Sequence, residues 1–520
     1  MKNRMPLLKY PIGVQSFKQI RENGFLYIDK TEKIWMLANL GKYYFLSRPR
    51  RFGKSLMLST LKAYFLGQKE LFEGLAINEY EKDWVEYPVF HFDFNPQIYD
   101  SVDALKMTIT RQLEEFETTF GLPKGEGAIP DRFISLIKGA FAKTGRNAVI
   151  LVDEYDKALL ATIDNKPLYE EFQTVLKGFY GVLKTCDEWI RFVMITGVGR
   201  FAHVSIFSDL NNLNDISLDK KYNDLCGISE TEFNENFGPE IEEIARRYRM
   251  TPEEAKSELK LMYDGYRFTD PEYCEGIYNP FSLLNCFSKS DMSNYWFSTG
   301  TPTFLVKLLM RQGYNFSHLD FKVDDSELKG VNNPEKSVVS LLYQTGYLTI
   351  KSFDYRTGTY TIGLPNREVK SGLYRLAFVI YGGPGQELSF RYTQFATDLE
   401  NGDVEGFIQR LKSLFANIPH EQMLKTEAAF HNVIFLLFTL LGYITESEHH
   451  VNTGISDLVI KTPGRVYIFE FKLNSTAKAA MEQINSRHYD EPYRAEGRQI
   501  IKVGINFSTA ARNIDDWEVM

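Results

Sequence analysis

The stretch from Tyr43 to Thr60, YYFLSRPRRFGKSLMLST, most constrains what this chain can fold into. An apolar segment leads into a basic loop, and Gly53-Lys54-Ser55 then opens a segment with leucines at helical spacing. The order strand, loop, GKS, helix is the one that a phosphate-binding loop needs. Backbone N–H groups and the helix N-terminus cradle phosphates, the lysine reaches the outer ones, and the hydroxyl ligates Mg²⁺. The stretch therefore predicts a nucleotide site that uses Gly53, Lys54 and Ser55.

One element of this pattern is missing. The consensus places a glycine six residues before the lysine, where this chain has Arg48. A lone GKS in 520 residues also arises by chance, so the prediction of a nucleotide site needs support from the strands that follow. If it does, we expect Arg48, Arg50 and Arg51 to add positive charge near the phosphates.

Two later strands complete an ATPase pattern. The run from Ala148 to Val152 is apolar and mostly β-branched, as in a strand buried on both faces of a parallel sheet, and it ends in Asp153-Glu154. Asp153 is predicted to hold Mg²⁺ and Glu154 to polarise the attacking water. A third strand ends at Thr196, where ligands of open parallel sheets bind, so Thr196 is placed to sense the terminal phosphate. Arg200 either reaches the same phosphate or is a surface arginine.

Composition narrows the class of protein. The formal net charge is -8, so nucleic-acid contacts have to come from a local basic patch. Four cysteines are widely spread without a CxxC pair, which argues against a zinc module or a disulfide framework. The longest apolar run, Val433 to Leu441, is far shorter than the ~20 residues of a membrane span. We expect a cytoplasmic protein without a membrane segment.

Several motifs together resemble a known family. RPRRFGKSLMLSTL, ILVDEYDKAL and MITGVGRF, followed by residues 205–217, are similar to the AAA-ATPase-like family of bacterial proteins, and the match continues through YDGYRF, IYNPFSLLNCF and YWFSTGTPTFL. Members commonly carry a C-terminal PD-(D/E)XK nuclease-like domain. Their usual loop also has arginines where the consensus has its first glycine, so the resemblance implies that Arg48 is compatible with ATP binding.

The chain is predicted to be an α/β multidomain protein with four parts. Residues 1–215 form a P-loop NTPase parallel-sheet core, and residues 216–325 a helical subdomain. Residues 326–380 read as a winged-helix region: a helix from Glu335 to Gly346 precedes strands at Tyr347–Phe353 and Thr359–Leu364. Arg356 and Arg367 then either face a nucleic-acid backbone or are simply solvated. Residues 381–520 form an α/β restriction-endonuclease-like domain.

The last domain carries a second catalytic pattern. Asp457 lies within the strand-like segment VNTGISDLVIK, and the next strand, RVYIFEFKL, contains Glu470 and Lys472, which gives D-x12-ExK. Asp457 opposes Glu470 in a hairpin, and Glu470 and Lys472 point the same way because residues two apart on a strand share a face. Two carboxylates suit Mg²⁺, and Lys472 can orient or deprotonate water. A surface hairpin is the alternative, but charges within an apolar strand are costly unless they are used.

The resemblance adds two residues and one departure. It implies that Glu427 on the preceding helix is a further metal or water ligand, and that Gln483 on the following helix contacts phosphate. Relatives usually read GRxD before the acid, whereas this chain reads GISD with Ile455 in place of the arginine. This change puts the engagement of DNA in doubt more than the binding of metal.

We therefore predict an ATP-binding, ATP-hydrolysing protein whose nucleotide state controls a Mg²⁺-dependent nuclease domain. The alternative is a nucleotide-dependent switch whose nuclease-like domain binds without cutting. Expected cofactors are ATP and Mg²⁺, and the expected partner is nucleic acid, DNA before RNA, with oligomerisation through the ATPase domain as an option. Retention of Asp457, Glu470 and Lys472 favours the enzyme, because a decayed nuclease would be expected to have lost one of them.

Overall fold

A computed structural model describes most of the chain. It covers residues 9–95, 97–162, 165–200, 206–207, 210–297, 306, 309, 316, 319–329, 338–382, 388–416, 427–440, 445–451 and 454–520. Within these ranges, side chains are not described for residues 381–382, 388–393, 427–429, 431, 445–451 and 454–457. By internal contacts the chain divides into two units: the N-terminal unit, Met1–Thr299 with Asp320–Glu368, and the C-terminal unit, Gly300–Leu319 with Val369–Met520. The finer division into four domains stays a prediction.

A five-stranded parallel sheet organises the first 215 residues. Its strands are β1 (Tyr43–Ser47), β2 (Val89–Asp93), β3 (Ala148–Asp153), β4 (Ile190–Gly197) and β5 (Asn214–Asp215). Their spatial order is β2-β3-β4-β1-β5, and all neighbours run parallel. Every residue of β1 and β3 is buried, as expected for strands covered on both faces. The parallel-sheet core is therefore confirmed.

Helices pack on both faces of this sheet. They are α1 (Phe17–Glu22), α2 (Thr31–Leu40), α3 (Lys54–Phe65), α4 (Ile77–Tyr80), α5 (Val102–Thr119), α6 (Ile129–Thr144), α7 (Lys157–Ala161) and α8 (Lys166–Thr185), with 3-10 turns at Lys69–Phe72 and Asp187–Trp189. Phe65 of α3 contacts Phe192, which lies beside Val149 of β3. Phe92, beside Val152, instead contacts aromatic rings of α5, α6 and α8. Val149 and Val152 are three residues apart on one strand, so the two sets of helices cover opposite faces.

A helical segment follows the sheet, as predicted. It contains α9 (Glu230–Asn236), α10 (Gly238–Tyr248), α11 (Pro252–Tyr263) and α12 (Pro280–Lys289), a strand pair β6 (Ile228–Ser229) and β7 (Ile277–Tyr278), and 3-10 turns at Lys220–Tyr222 and Pro271–Tyr273. Capping boxes start two of the helices: Ser229 with Glu232 caps α9, and Thr251 with Glu254 caps α11. Phe233, Phe237 and Tyr278 lie in its core.

The next segment is a small module within the same unit. It comprises β8 (Phe321–Asp324), α13 (Asp325–Lys329), α14 (Val338–Thr345), β9 (Thr349–Asp354) and β10 (Thr359–Gly363). The strands form an antiparallel sheet of order β8-β10-β9. The predicted helix and hairpin are thus observed, although residues 335–337 at the start of that helix lie outside the described residues. Residues 338–344 of α14 are all buried, so this helix has no solvated face.

The C-terminal unit is built on a mixed sheet. Its elements are α15 (Arg367–Gly382, which begins in the N-terminal unit), α16 (Leu388–Asn401), α17 (Val404–Ala416), α18 (Glu427–Leu440), β11 (Thr445–Val451), β12 (Gly454–Lys461), β13 (Arg465–Leu473), α19 (Ala477–Ser486), β14 (Gln499–Ser508) and β15 (Asn513–Val519), with a 3-10 turn at Glu491–Glu496. Strand order follows the sequence, and only β13 and β14, which α19 connects, are parallel. This is the predicted order of helix, strand with Asp, strand with ExK, and helix.

Candidate functional sites

The GKS loop joins the end of β1 to the start of α3. Gly53 precedes the helix with φ +95°, a left-handed conformation that glycine adopts without strain. Lys54 is the first helical residue and is 4% exposed. Its Nζ donates to the carbonyl oxygens of Arg48 at 2.9 Å and Pro49 at 3.1 Å. The ammonium group therefore contacts the carbonyl groups of its own loop, and its role in binding phosphate stays a prediction.

Arg48 has a role that the sequence did not reveal. Its guanidinium group donates to the carbonyl oxygens of Ser47 and Ser217 through Nη1 and of Tyr222 through Nη2, at 2.8–2.9 Å, and stacks over Phe268 with 4.0 Å to the ring centroid. The side chain is 1% exposed. The sequence predicts that Arg48 adds charge near the phosphates, whereas its observed hydrogen bonds tie the loop to the segment after β5. A long side chain at this position fills space that a glycine would leave empty.

The two other loop arginines remain exposed. Arg51 has φ +68°, and its guanidinium carbon lies 4.8 Å from the ring centroid of Phe281. The carbonyl oxygen of Arg50 accepts a hydrogen bond from the indole Nε1 of Trp296 at 3.0 Å. Their role as phosphate contacts stays a prediction, and the Trp296 contact is one that the sequence did not show.

The acid-tipped and threonine-tipped strands meet at the carboxyl edge of the sheet. Thr196 Oγ1 donates to Asp153 Oδ1 at 2.8 Å and lies 3.2 Å from the Val152 carbonyl oxygen. Both side chains are buried. Glu154 follows in a left-handed conformation, φ +51°, and is half-buried. Because β4 lies between β1 and β3, the predicted residues of the loop and of both strands share one edge.

A second aspartate of the DEYD motif holds this edge together. Asp156 Oδ2 accepts the backbone N–H groups of Val198 at 3.0 Å and Gly199 at 2.7 Å, and the hydroxyl of Tyr155 donates to the Gly199 carbonyl oxygen at 3.0 Å. Burial raises the pKa of Asp156 to about 6, and the negative charge of Glu154 acts in the same direction. Sequence reasoning missed Asp156, although its place three residues after Asp153 was visible.

Arg200 is buried rather than a surface residue. Its guanidinium group forms an ion pair with Asp215, and its backbone N–H donates to Gln344 Oε1 at 2.6 Å. Asp215 of β5 therefore holds the side chain of Arg200, and Gln344 of α14 holds its backbone.

In the C-terminal unit, Glu470 and Lys472 lie side by side on β13. Lys472 Nζ donates to Glu470 Oε1 at 3.0 Å, which confirms that the two side chains share a face. Glu470 is fully buried, and the Lys472 side chain is 24% exposed. In the hairpin, Leu458 of β12 pairs with Phe469, which makes Asp457 and Glu470 the next positions along the two strands. The Asp457 side chain itself lies outside the described residues.

The strand that carries this pair is packed on both sides. Val466 and Ile468 continue the face of Glu470 and contact Met481 and Ile484 of α19. On the other face, the rings of Phe469 and Phe471 lie against Phe438 of α18 and Phe507 of β14. Gly504 pairs with Glu470, and a side chain there would meet the Ala477 carbonyl oxygen at 2.7 Å. The apolar residues of β13 and the absence of a side chain at Gly504 together allow α19 to pack close to Glu470.

Two further predicted residues can be located only in part. Glu427 is the first residue of α18, but its side chain, like that of Asp457, is outside the described residues. Gln483 Nε2 donates to the hydroxyl of Tyr489 at 3.3 Å, so its predicted phosphate contact stays a prediction. Among the described side chains there is no cluster of three or more His, Cys, Asp or Glu residues that could hold a metal ion. Glu427 and Asp457, two of the three predicted metal ligands, have no described side chains and therefore do not count in this statement.

Comparisons with known proteins agree with this geometry. The model described as "Predicted AAA-ATPase" matches residues 11–207, and that of the PD-(D/E)XK nuclease superfamily matches residues 425–517. A protein of Azotobacter chroococcum mcd 1, described as an uncharacterized protein in the vnfD 5′ region, is 35% identical over 519 residues, which cover 97% of this chain and 98% of the relative. The chain belongs to the AAA-ATPase-like family. The family resemblance is thereby confirmed, as are the P-loop NTPase core and the C-terminal PD-(D/E)XK domain.

A solved structure was also compared with this AAA-ATPase-like chain. The ORC1 protein of Aeropyrum pernix, solved in complex with DNA, aligns with a TM-score of 0.24 at 12% identity and covers 67% of this chain and 93% of that one. Across the part of the AAA-ATPase-like chain that the structure describes, no helix has both the length and the apolar character needed to cross a membrane.

Proposed function

We propose that the N-terminal domain binds and hydrolyses ATP with Mg²⁺. The arrangement at one sheet edge supports this proposal: Lys54 at the start of α3, and Asp153 bonded to Thr196 across β3 and β4. The Ser55 hydroxyl and the Asp153 carboxylate are hard oxygen ligands of the kind that Mg²⁺ takes. Lys54 then binds the outer phosphates, Glu154 orients the attacking water, and Thr196 fixes the Asp153 carboxylate.

The C-terminal domain is proposed to cleave phosphodiester bonds in nucleic acid, DNA before RNA. Asp457, Glu470 and Glu427 would hold Mg²⁺, which supplies Lewis-acid stabilisation of the phosphate when it is bound. The structure shows the position of the Lys472 ammonium group, whose Nζ lies 3.0 Å from Glu470 Oε1. Released from that carboxylate, its ammonium group would orient water and neutralise charge that develops on the phosphate.

The nucleotide state is proposed to control this cleavage through the N-terminal unit's own contacts. Trp296 Nε1 donates to the loop carbonyl of Arg50, and the Trp296 backbone N–H donates to Glu368 Oε1 at 2.7 Å. Glu368 is the second residue of α15, the helix that leads into the C-terminal unit. If the GKS loop changes conformation when a nucleotide binds, Trp296 would transmit this change to Glu368 in the first turn of α15.

The segment from β8 to β10 is proposed to be a winged helix that contacts nucleic acid through its hairpin turn. Its strand order, β8-β10-β9, and the helix before the hairpin support this proposal. Because α14 is buried, it has no face to place in a groove. The turn between β9 and β10 is instead exposed and carries Arg356. Arg367 pairs with Glu258 at 2.7 Å, which favours the hairpin arginine as the phosphate contact.

The deciding experiment is a nuclease assay on the full chain. Duplex DNA, single-stranded DNA and RNA are incubated with and without Mg²⁺, and with and without ATP. We expect Mg²⁺-dependent cleavage whose rate changes several-fold with ATP. In Trp296→Phe, which keeps a ring but removes the indole donor, cleavage without ATP and ATP affinity should be unchanged while the response to ATP is lost. Trp189→Phe, in the 3-10 turn before β4, is the matched control and should keep the response.

The outcomes separate the proposals. Equal cleavage with and without ATP would leave a nuclease but overturn the coupling. A full ATP response in Trp296→Phe would overturn the path through the indole. No cleavage of any substrate would favour the alternative, a nucleotide-dependent switch in which the Lys472–Glu470 pair stays closed and the domain only binds.

A further inference from the structure

A small cavity lies beside the end of β1 within the N-terminal unit. Its volume is about 20 Å³, enough for one particle of the size of a water molecule. It is lined by residues from the start of the GKS loop, from the ends of β4 and β5, and from α14: Ser47, Arg48, Pro49, Arg200, Ser217 and Gln344, with Leu218, Phe268 and Tyr343 completing the wall.

Two guanidinium groups line this cavity with donors unused. Arg48 is 1% exposed and Arg200 is 8% exposed. Nε of Arg48 and Nη1 of Arg200 are both buried and have no hydrogen-bond partner among the described residues. A buried donor without an acceptor costs free energy, and a charged one costs more, so both groups call for an acceptor that the described protein atoms do not supply.

The charges around the cavity are also unequal. Arg200 is paired with Asp215, whereas every hydrogen bond of Arg48 goes to a neutral backbone carbonyl. Burial lowers the pKa of Arg48 to about 10, which leaves it charged at neutral pH. Arg48, Arg200 and Tyr343 all line the same cavity, so the two cations face one small space. The cavity is therefore lined by two guanidinium groups, of which only that of Arg200 is paired with a carboxylate.

We infer that this cavity binds one small monovalent anion of the size of chloride. Such an anion accepts from both unused donors and balances the charge of Arg48. Water can accept the same hydrogen bonds, but it cannot balance the charge. The proposed anion site uses the Arg48 side chain, whereas Lys54 of the proposed nucleotide site contacts the Arg48 carbonyl, so the two sites use different groups of the loop.

The test is the unfolding midpoint of the full chain without nucleotide. It is measured at equal ionic strength in sodium chloride, sodium bromide and sodium gluconate, whose anion is too large for the cavity. A ligand that binds only the folded state raises the midpoint. We expect the halides to raise it by on the order of 2 °C over gluconate. In Arg48→Met this difference should vanish, while Arg146→Met, which replaces an exposed arginine before β3, should keep it.

Crystals grown in bromide give an independent measurement that needs no variant. An anomalous peak between Arg48 and Arg200 is the expected result. A cavity without anomalous signal, or a halide effect that persists in Arg48→Met, would overturn the inference and leave a water molecule as the occupant. If Arg48→Met does not fold, the bromide peak alone decides.

Discussion

The two predicted catalytic sites hold their lysine and their acid in different ways. At the GKS loop, Lys54 donates to backbone carbonyls, and the acid Asp153 accepts from the hydroxyl of Thr196. In the C-terminal unit, Lys472 donates directly to the acid Glu470. The first arrangement keeps cation and anion on separate neutral partners, so each can meet a ligand of opposite charge independently. In the second, the cation and the anion contact each other directly, so a change in one charge acts on the other.

This difference makes Lys472→Ala the most informative change. Removal of the ammonium group should lower cleavage by about 1000-fold, because charge on the phosphate loses its stabilising cation. Metal affinity should be kept or raised, because Glu470 loses a competitor. Asp457→Ala should abolish cleavage as well, but with loss of metal binding. Cleavage rates and Mn²⁺ titrations on the same preparations separate the two effects.

Lys478→Ala is the control, since Lys478 is an exposed lysine on the next helix. It should leave both measurements unchanged. Cleavage at the parent rate in both Lys472→Ala and Asp457→Ala would trace the activity to another site or to a contaminant.

Replacement of the lysine in the GKS loop should weaken the binding of ATP. Lys54→Ala removes the group that reaches the phosphates and should weaken ATP affinity by about 100-fold, or about 2.7 kcal/mol. Calorimetric titration with ATP measures it, with Lys62→Ala, an exposed lysine of the same helix, as the control. Affinity equal to that of the parent would mean that the GKS loop is not the nucleotide site.

Much of this architecture could be predicted because local patterns determined it. Strand β3 is continuously apolar, and it is buried at every position with Asp153 at its end. Glu470 and Lys472 are two apart on a strand, so their shared face follows from geometry alone.

The contacts that were missed all join positions distant in sequence. Arg48 donates to Tyr222, and Trp296 donates to Arg50, across 174 and 246 residues. Nothing in a local pattern says which carbonyl a guanidinium or an indole will reach, because that depends on how separate elements pack. Asp156 is different: it was adjacent to predicted residues, but its role depends on the turn after β4, which the motif alone does not specify.

Thr196→Val tests whether the neutral partner of Asp153 matters. Loss of the hydroxyl removes the hydrogen bond at 2.8 Å and should lower ATP hydrolysis by about 10-fold with little change in ATP affinity. Steady-state hydrolysis and ATP titration measure the two quantities. Thr108→Val, which removes a buried hydroxyl bonded to the Ala104 carbonyl in α5, is the control for stability. A parallel loss of affinity would instead indicate that Thr196 positions the nucleotide.

Glu368 offers a second comparison with Glu470, and its expected effect is on the stability of the fold rather than on activity. Like Glu470 it is buried, but it accepts from the Trp296 backbone N–H where Glu470 has a lysine. Burial raises the pKa of Glu368 from 4.5 to about 7. Between these values the folded chain retains a proton that the unfolded chain releases, so the free energy of unfolding falls as the pH rises through this window, by at most about 3 kcal/mol. Glu368→Gln should flatten that slope in urea unfolding series at pH 5, 6 and 7. An unchanged slope would assign the pH dependence to another group.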